Sequence, residues 1–163
     1  MRGLIFASAC ITYASYAQTF TPITVKVNGV DTNLYVHTPS WSSATASGSA
    51  LSFKFNNRMY LSNSATTNTA AYFKPNMLGG SMEYDVDHSK VGCGCLSAIY
   101  LVRMPSLDTG NNDPFKYCDA NQVGGFWCPE FDIMESNKHG YTGVAHACEA
   151  PVNGIYNSCD RSG

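Results

Sequence analysis

The chain has 163 residues, enough for one domain with a real core. Its formal net charge is −2, with only 13% charged residues. The ten Lys and Arg are scattered singly, which excludes the clustered basic face that nucleic acid demands and points to a neutral polymer as partner.

At the N-terminus, one basic residue (Arg2), a short apolar run to Tyr13 and small residues at Ser15 and Ala17 have the form of a secretory signal over residues 1–17, leaving 18–163 as one domain of a secreted protein. No later run approaches the ~20 apolar residues that span a bilayer, so no membrane partner is expected. If the signal takes Cys10 with it, Cys93, Cys95, Cys118, Cys128, Cys148 and Cys159 remain. Such an even set outside the cell reads as disulfides. The spacings lack the paired hooks of a structural zinc site.

In chain order, Ile23 to Val27, the turn pair Asn28-Gly29 and Asn33 to His37 predict a hairpin. Pro39 to Ser49 is rich in Ser, Ala, Thr and Gly and reads as a loop. Ala50 to Phe55 and Met59 to Leu61 flank Asn56-Asn57 and predict a second hairpin. Ser81 to His88 alternates Met82, Tyr84 and Val86 with Glu83, Asp85 and Asp87, and so predicts a strand. Leu96 to Met104 is mostly apolar and is expected at the centre of a sheet, while Pro105 to Gly125 reads as loop. Phe131 to Met134 resumes the strand, and 138–163 shows little periodicity. No helix is expected. Alternating strands need a second layer, so the fold class is all-β, a sandwich of two antiparallel sheets.

Glu130, Asp132 and Glu135 place three carboxylates within six residues of a chain otherwise sparse in charge. On a regular strand Glu130 and Asp132 share a face, with Phe131 and Ile133 directed to the core. Glu135 has the other parity and joins them only if the strand is bulged near Met134. Converging carboxylates cannot both ionise cheaply, and the resulting acid and base are what glycoside hydrolysis needs. Spacing alone also allows a calcium shell with Asn137, or a solvated face. Trp127 beside Gly124-Gly125 is a candidate for stacking on sugar, and His146 for reaching the carboxylates.

At these residues the chain resembles glycoside hydrolase family 7, the cellobiohydrolases and endoglucanases of fungi and related microbes. SGSALSFKF, RMYLSNSATTNTAAYFKPNMLGGSMEYDVDHSKVGCGCLSAIYLVRM, YCDA and GGFWCPEFDIMESN follow that family's order from about Ser47 to Asp160. A similar carboxylate motif occurs in family 16, whose members cut other β-glucans; the upstream strand pair favours family 7. The resemblance implies a concanavalin A-like jelly roll and retaining cleavage of β-1,4-glucosidic bonds in cellulose or related β-glucans. It implies Glu130 as nucleophile, Asp132 as its carboxylate partner and Glu135 as general acid/base. It further implies His146 near the leaving group, Tyr100 in the cleft, a Cys118–Cys128 disulfide, a monomer, and no cofactor or metal. A non-catalytic glucan-binding sandwich is the other reading.

Three departures stand out. The family's cysteine-rich opening segment is not recognisable between Gln18 and Ala46, Leu96 stands where the family commonly has Asn, and the loop from Tyr117 to Glu130 is short. A short loop implies an open cleft and endo cutting. Family members are much longer, so the sandwich is expected to be incomplete, with partners for Cys93, Cys148 and Cys159 beyond Gly163.

Overall fold

The computed structural model describes residues 20–39, 42 and 44–163. The expected signal segment 1–17 and Cys10 lie outside them. The described residues form eight strands: β1 (Thr21–Val27), β2 (Val30–His37), β3 (Ala44–Ser47), β4 (Ala50–Phe53), β5 (Tyr60–Ser62), β6 (Ser97–Val102), β7 (Glu130–Ser136) and β8 (Tyr141–His146). Their only helical turns are two 3-10 turns of three residues each, and no helix is long and apolar enough to cross a membrane. The strands pair antiparallel in three sheets, ordered β1-β2-β5, β3-β4 and β6-β7-β8. The chain is all-β and consistent with a β-sandwich; the described strands form no closed jelly roll.

The first hairpin forms as the sequence predicts. Asn28 and Gly29 both take positive φ (51° and 79°), which matches the twist of the strands they join, and Val27 faces Val30 across the turn. Its apolar face carries Ile23, Leu34 and Val36, against which Val25, Leu61, Phe73 and the β3-β4 residues Ala44, Ala46 and Leu51 pack.

The second hairpin is drawn differently from the expectation. β4 pairs with β3, inside the stretch read as loop, across a two-residue turn at Gly48-Ser49, where Gly48 takes φ +58°. β5 joins β2 instead. Asn56-Asn57 does turn the chain, with Asn57 Nδ2 donating to the Lys54 carbonyl at 2.6 Å, but the strands on either side of it belong to different sheets.

Ser81 to His88 is not a strand. Ser81 through Asp87 are exposed on both parities, because no described strand lies alongside to take their main-chain hydrogen bonds. For the same reason β6, expected to be central, is an edge strand, and the central place belongs to β7. The tail 138–163, read as aperiodic, supplies β8 and a loop closed by Cys148–Cys159. Those two cysteines pair with each other rather than with distant partners. Main-chain bonds from Glu149 to Ser158 and from Asp160 to Ala147 zip the two arms together around a turn at Asn153-Gly154. Among the described residues, Cys93 and Cys95 are unpaired.

An aromatic stack joins the first sheet to the 111–117 loop. Tyr60 lies on Tyr72 and Phe115, and the Tyr72 hydroxyl donates to the Phe115 carbonyl at 2.8 Å. His37 sits between Phe20 and Phe115, 2% exposed, with neither ring nitrogen hydrogen-bonded. Burial holds its proton affinity below that of a free imidazole, whose pKa is 6.5. The unfolded chain therefore takes up a proton near pH 6.5 that the folded chain refuses, and this residue withdraws stability as pH falls below that value. A His37→Leu chain is expected to be at least as stable as the parent at pH 7.5, since an orphaned buried polar group costs about 1–3 kcal/mol. Its advantage should widen from pH 6.5 to 5 in paired denaturant titrations; a constant gap would contradict this account.

Candidate active site

β7 carries the carboxylates, and its pairing on both sides shifts between Asp132 and Glu135. Against β6 the register runs Glu130↔Val102, Phe131↔Leu101, Asp132↔Tyr100 and then Met134↔Ile99, Glu135↔Ala98, skipping Ile133. Against β8 it shifts between Asp132↔Val144 and Glu135↔Thr142. Ile133 is the extra residue of a β-bulge.

The bulge resets side-chain parity. Glu130, Asp132 and Glu135 lie opposite Val102, Tyr100 and Ala98, alternate residues of β6 that share one face. The Ile133 carbonyl, displaced from the ladder, accepts the Tyr141 hydroxyl at 2.6 Å. Gly143 sits opposite the bulge, where a Cβ would approach the Asp132 and Ile133 carbonyl oxygens to 3.2 and 3.3 Å.

The expectation that Phe131 points into the core is reversed: Phe131 is 50% exposed and Asp132 is 5% exposed. The carboxylate face is covered by the 117–120 turn and by His146, whereas no described strand layers over Phe131. Ile133 is half-buried.

Asp132 and His146 form a buried pair, Oδ2 to Nε2 at 3.0 Å. On the other side of the ring, His146 Nδ1 lies 2.9 Å from the Asp160 carbonyl. A carbonyl only accepts, so Nδ1 carries a hydrogen. Nε2 then faces Asp132 either as a second donor, making an ion pair, or as acceptor of an Asp132 hydroxyl; in both cases one proton is shared across the contact. Burial raises the proton affinity of Asp132, His146 opposes that, and Asp119 adds to it.

Glu130 is half-buried. Its Oε2 accepts the Ala120 N–H at 3.0 Å. Burial pushes its carboxyl above the usual range; the Ala120 bond works against this, while Asp132 and Asp119 push the same way. The β7 register places Glu135 on this face, and no hydrogen bond to its side chain is seen among the described residues.

Tyr100, the partner of Asp132 in the ladder, places its hydroxyl 3.3 Å from that of Tyr117. Arg58 lies over the Tyr117 ring at 3.7 Å. Arg58 and Tyr117, but not Tyr100, border a cleft of about 710 Å³ with Tyr60, Asp113, Val123 and Phe126 on its walls. Cys118 and Cys128 are disulfide-bonded with Cα atoms 5.3 Å apart, which ties the turn above the carboxylates to the start of β7. Trp127 is held elsewhere: Arg161 covers its ring at 4.9 Å, and it lines a separate cavity of about 230 Å³ with Arg103 and Tyr156.

Sequence reasoning did not single out Arg58, Tyr60, Tyr117 or Asp119. The signal for the last two was the YCDA segment, whose cysteine is bonded to the one just before Glu130. Glu130, Asp132 and His146 also bring one potential metal-ligand atom each within 4.8 Å of the others. A metal there would have to displace the direct Asp132–His146 contact.

Among curated proteins, endoglucanase type C of Fusarium oxysporum is 30% identical to this chain, over 96% of the chain and 41% of its own length. Endoglucanase EG-1 of Trichoderma longibrachiatum is 30% identical over 52% of the chain and 21% of its own length. The chain is similar, distantly and in part, to fungal endoglucanases. It spans less than half of each of these two relatives. No protein-family model matches it, and no solved structure does. These similarities suggest a glycoside-hydrolase-like fold.

A Cβ at residue 143 would press on the Asp132 and Ile133 carbonyl oxygens more tightly than ordinary contact allows. Gly143→Ala should therefore cost about 1–3 kcal/mol of stability, as overpacking does. Thermal melts check this, and an unchanged melting temperature would mean that the bulge yields.

Proposed function

We propose that the chain carries the catalytic strand of a secreted, retaining, endo-acting hydrolase of β-1,4-glucosidic bonds in cellulose or a related β-glucan, built on an incomplete concanavalin A-like jelly roll. The observation that carries this reading is the bulge at Ile133, which sets Glu130, Asp132 and Glu135 on one face of β7. The partial similarity to fungal endoglucanases supports the substrate class.

In this reading Glu130 attacks the anomeric carbon while Glu135 protonates the departing glycosidic oxygen, leaving a glycosyl ester on Glu130. Glu135, now ionised, takes a proton from water, which attacks the same carbon and restores the Glu130 carboxylate. Two inversions retain configuration. Ala98 and Val102, the residues opposite Glu135 and Glu130, are four apart along β6, about 13 Å of strand. Two glutamate side chains leaning inward over Asp132 would narrow that distance towards the roughly 5–5.5 Å retention requires.

Asp132, sharing its proton with His146, borders the nucleophile and limits the charge that builds beside it. Arg58, Tyr60 and Asp113 on the neighbouring cleft wall offer hydrogen-bonding groups to sugar hydroxyls, with Tyr100 behind them. Because burial raises the Glu130 carboxyl, the acid limb of activity should lie above that of a solvated glutamate.

The test is product analysis by mass spectrometry on carboxymethylcellulose and laminarin, using the full-length gene product and its Glu130→Gln and Glu135→Gln variants. Cello-oligosaccharides should appear with the parent and fall by at least about 10³-fold with Glu130→Gln. Cleavage of laminarin alone would move the assignment to a family 16-like β-1,3(4)-glucanase, and binding without cleavage to a glucan-binding module. The ligand-atom triad of Glu130, Asp132 and His146 favours one other reading, a metal site. That reading predicts a melting shift on chelation, which the hydrolase reading does not.

A further inference from the structure

The turn between Cys118 and Val123 is organised around one buried carboxylate that the proposed chemistry leaves without a role. Asp119 is 4% exposed. Its Oδ1 accepts the main-chain N–H groups of Asn121 at 3.0 Å and Val123 at 2.9 Å. Its own main chain is clamped to the segment leading into β7: its carbonyl accepts the Cys128 N–H at 3.0 Å, and its N–H donates to the Phe126 carbonyl at 3.4 Å. The peptide that joins Asp119 to Ala120 is thus held through its carbonyl by Cys128, and the peptide before it is held through the Asp119 N–H by Phe126. The Ala120 N–H is the group that reaches Glu130 Oε2 at 3.0 Å.

Ala120 has only a methyl side chain and is fully buried, so it offers Glu130 no donor except this amide. The orientation of the Glu130 carboxylate follows the orientation of that peptide plane. We infer that Asp119 is a positioning residue for Glu130, acting through the Ala120 N–H that its own hydrogen-bonded turn aims at Oε2. The inference rests on the hydrolytic role proposed above for Glu130.

Asp119 also contributes charge. The ionisable groups that act on Glu130 are Asp132 on its own strand, His146 on β8 and Asp119 on the turn, with Tyr100 facing it from β6. Asp119 favours the protonated form of both Glu130 and Asp132, so it holds the carboxylate in place while making it harder to ionise. These two effects separate by substitution. Asparagine keeps an Oδ1 acceptor for Asn121 and Val123 but carries no charge; alanine keeps neither.

The experiment is steady-state hydrolysis of an aryl β-cellobioside across pH by the full-length chain and its Asp119→Asn, Asp119→Ala and Glu130→Gln variants. Asp119→Ala should lower kcat by about tenfold or more with KM within about threefold, as misplacement of a reacting group does. Asp119→Asn should recover kcat to within about threefold of the parent, with the acid limb of kcat/KM moved to lower pH. Should the alanine variant not fold, Asp119→Glu decides in its place: it keeps the charge but moves the acceptor away from the Asn121 and Val123 N–H groups, and should lower kcat with KM within about threefold. An Asp119→Ala or Asp119→Glu enzyme with parental kcat, or an Asp119→Asn enzyme that loses as much kcat as Asp119→Ala, overturns the inference. Full activity in Glu130→Gln would overturn the Glu130 assignment itself, a result distinguishable from either.

Discussion

The single residue by which β7 is longer than its neighbours governs the arrangement of this site. A regular strand from Glu130 to Ser136 would send Glu135 to the side occupied by Phe131. With Ile133 bulged out, the strand accommodates three acidic side chains in one row without losing its pairing to β6 or β8. Bulged carbonyls need acceptable partners and space. Tyr141 provides the hydroxyl and Gly143 the space, so two residues of β8 with no acidic or basic chemistry of their own are conditions for the geometry of β7.

A second constraint is covalent and lies at the other end of the same strand. The Cys118–Cys128 disulfide and the main-chain bonds of Asp119 hold the 118–123 turn against the approach to β7, and this turn delivers an amide to Glu130. On the opposite edge, β8 delivers His146 to Asp132. Glu130 and Asp132 are therefore addressed by different elements, one by a neutral backbone donor and one by an ionisable ring. Two carboxylates two residues apart thus occupy unlike environments.

Legibility in the sequence followed the physics of each element. Asn28-Gly29 was readable because a hairpin turn with positive φ at both positions admits few residue types. The bulge was readable as a condition, since three carboxylates on one face require a break in parity. β3 was hidden because its alternation, Ala44 and Ala46 against Thr45 and Ser47, is short and carried only by alanines within a Ser/Thr/Gly-rich stretch; pairing with β4 completes it as a strand. Ser81 to His88 shows the converse, an alternating pattern exposed along both faces for want of a neighbouring strand. The Asp119–Ala120 contribution was invisible for a different reason: a main-chain N–H is the same in every residue but proline, so nothing in residue identity marks it as a donor.

The tail gives the Asp132–His146 pair a property that neither residue has alone. His146 Nδ1 is committed to the carbonyl of Asp160, and Asp160 is held beside Ala147 by a main-chain hydrogen bond and by the adjoining Cys148–Cys159 bond. The tautomer of the ring is thus fixed by backbone rather than by a mobile side chain or by solvent. The ring that faces Asp132 is thus braced from its far side by a loop that the Cys148–Cys159 bond closes, so a covalent link at the edge of the molecule helps hold the buried pair in register.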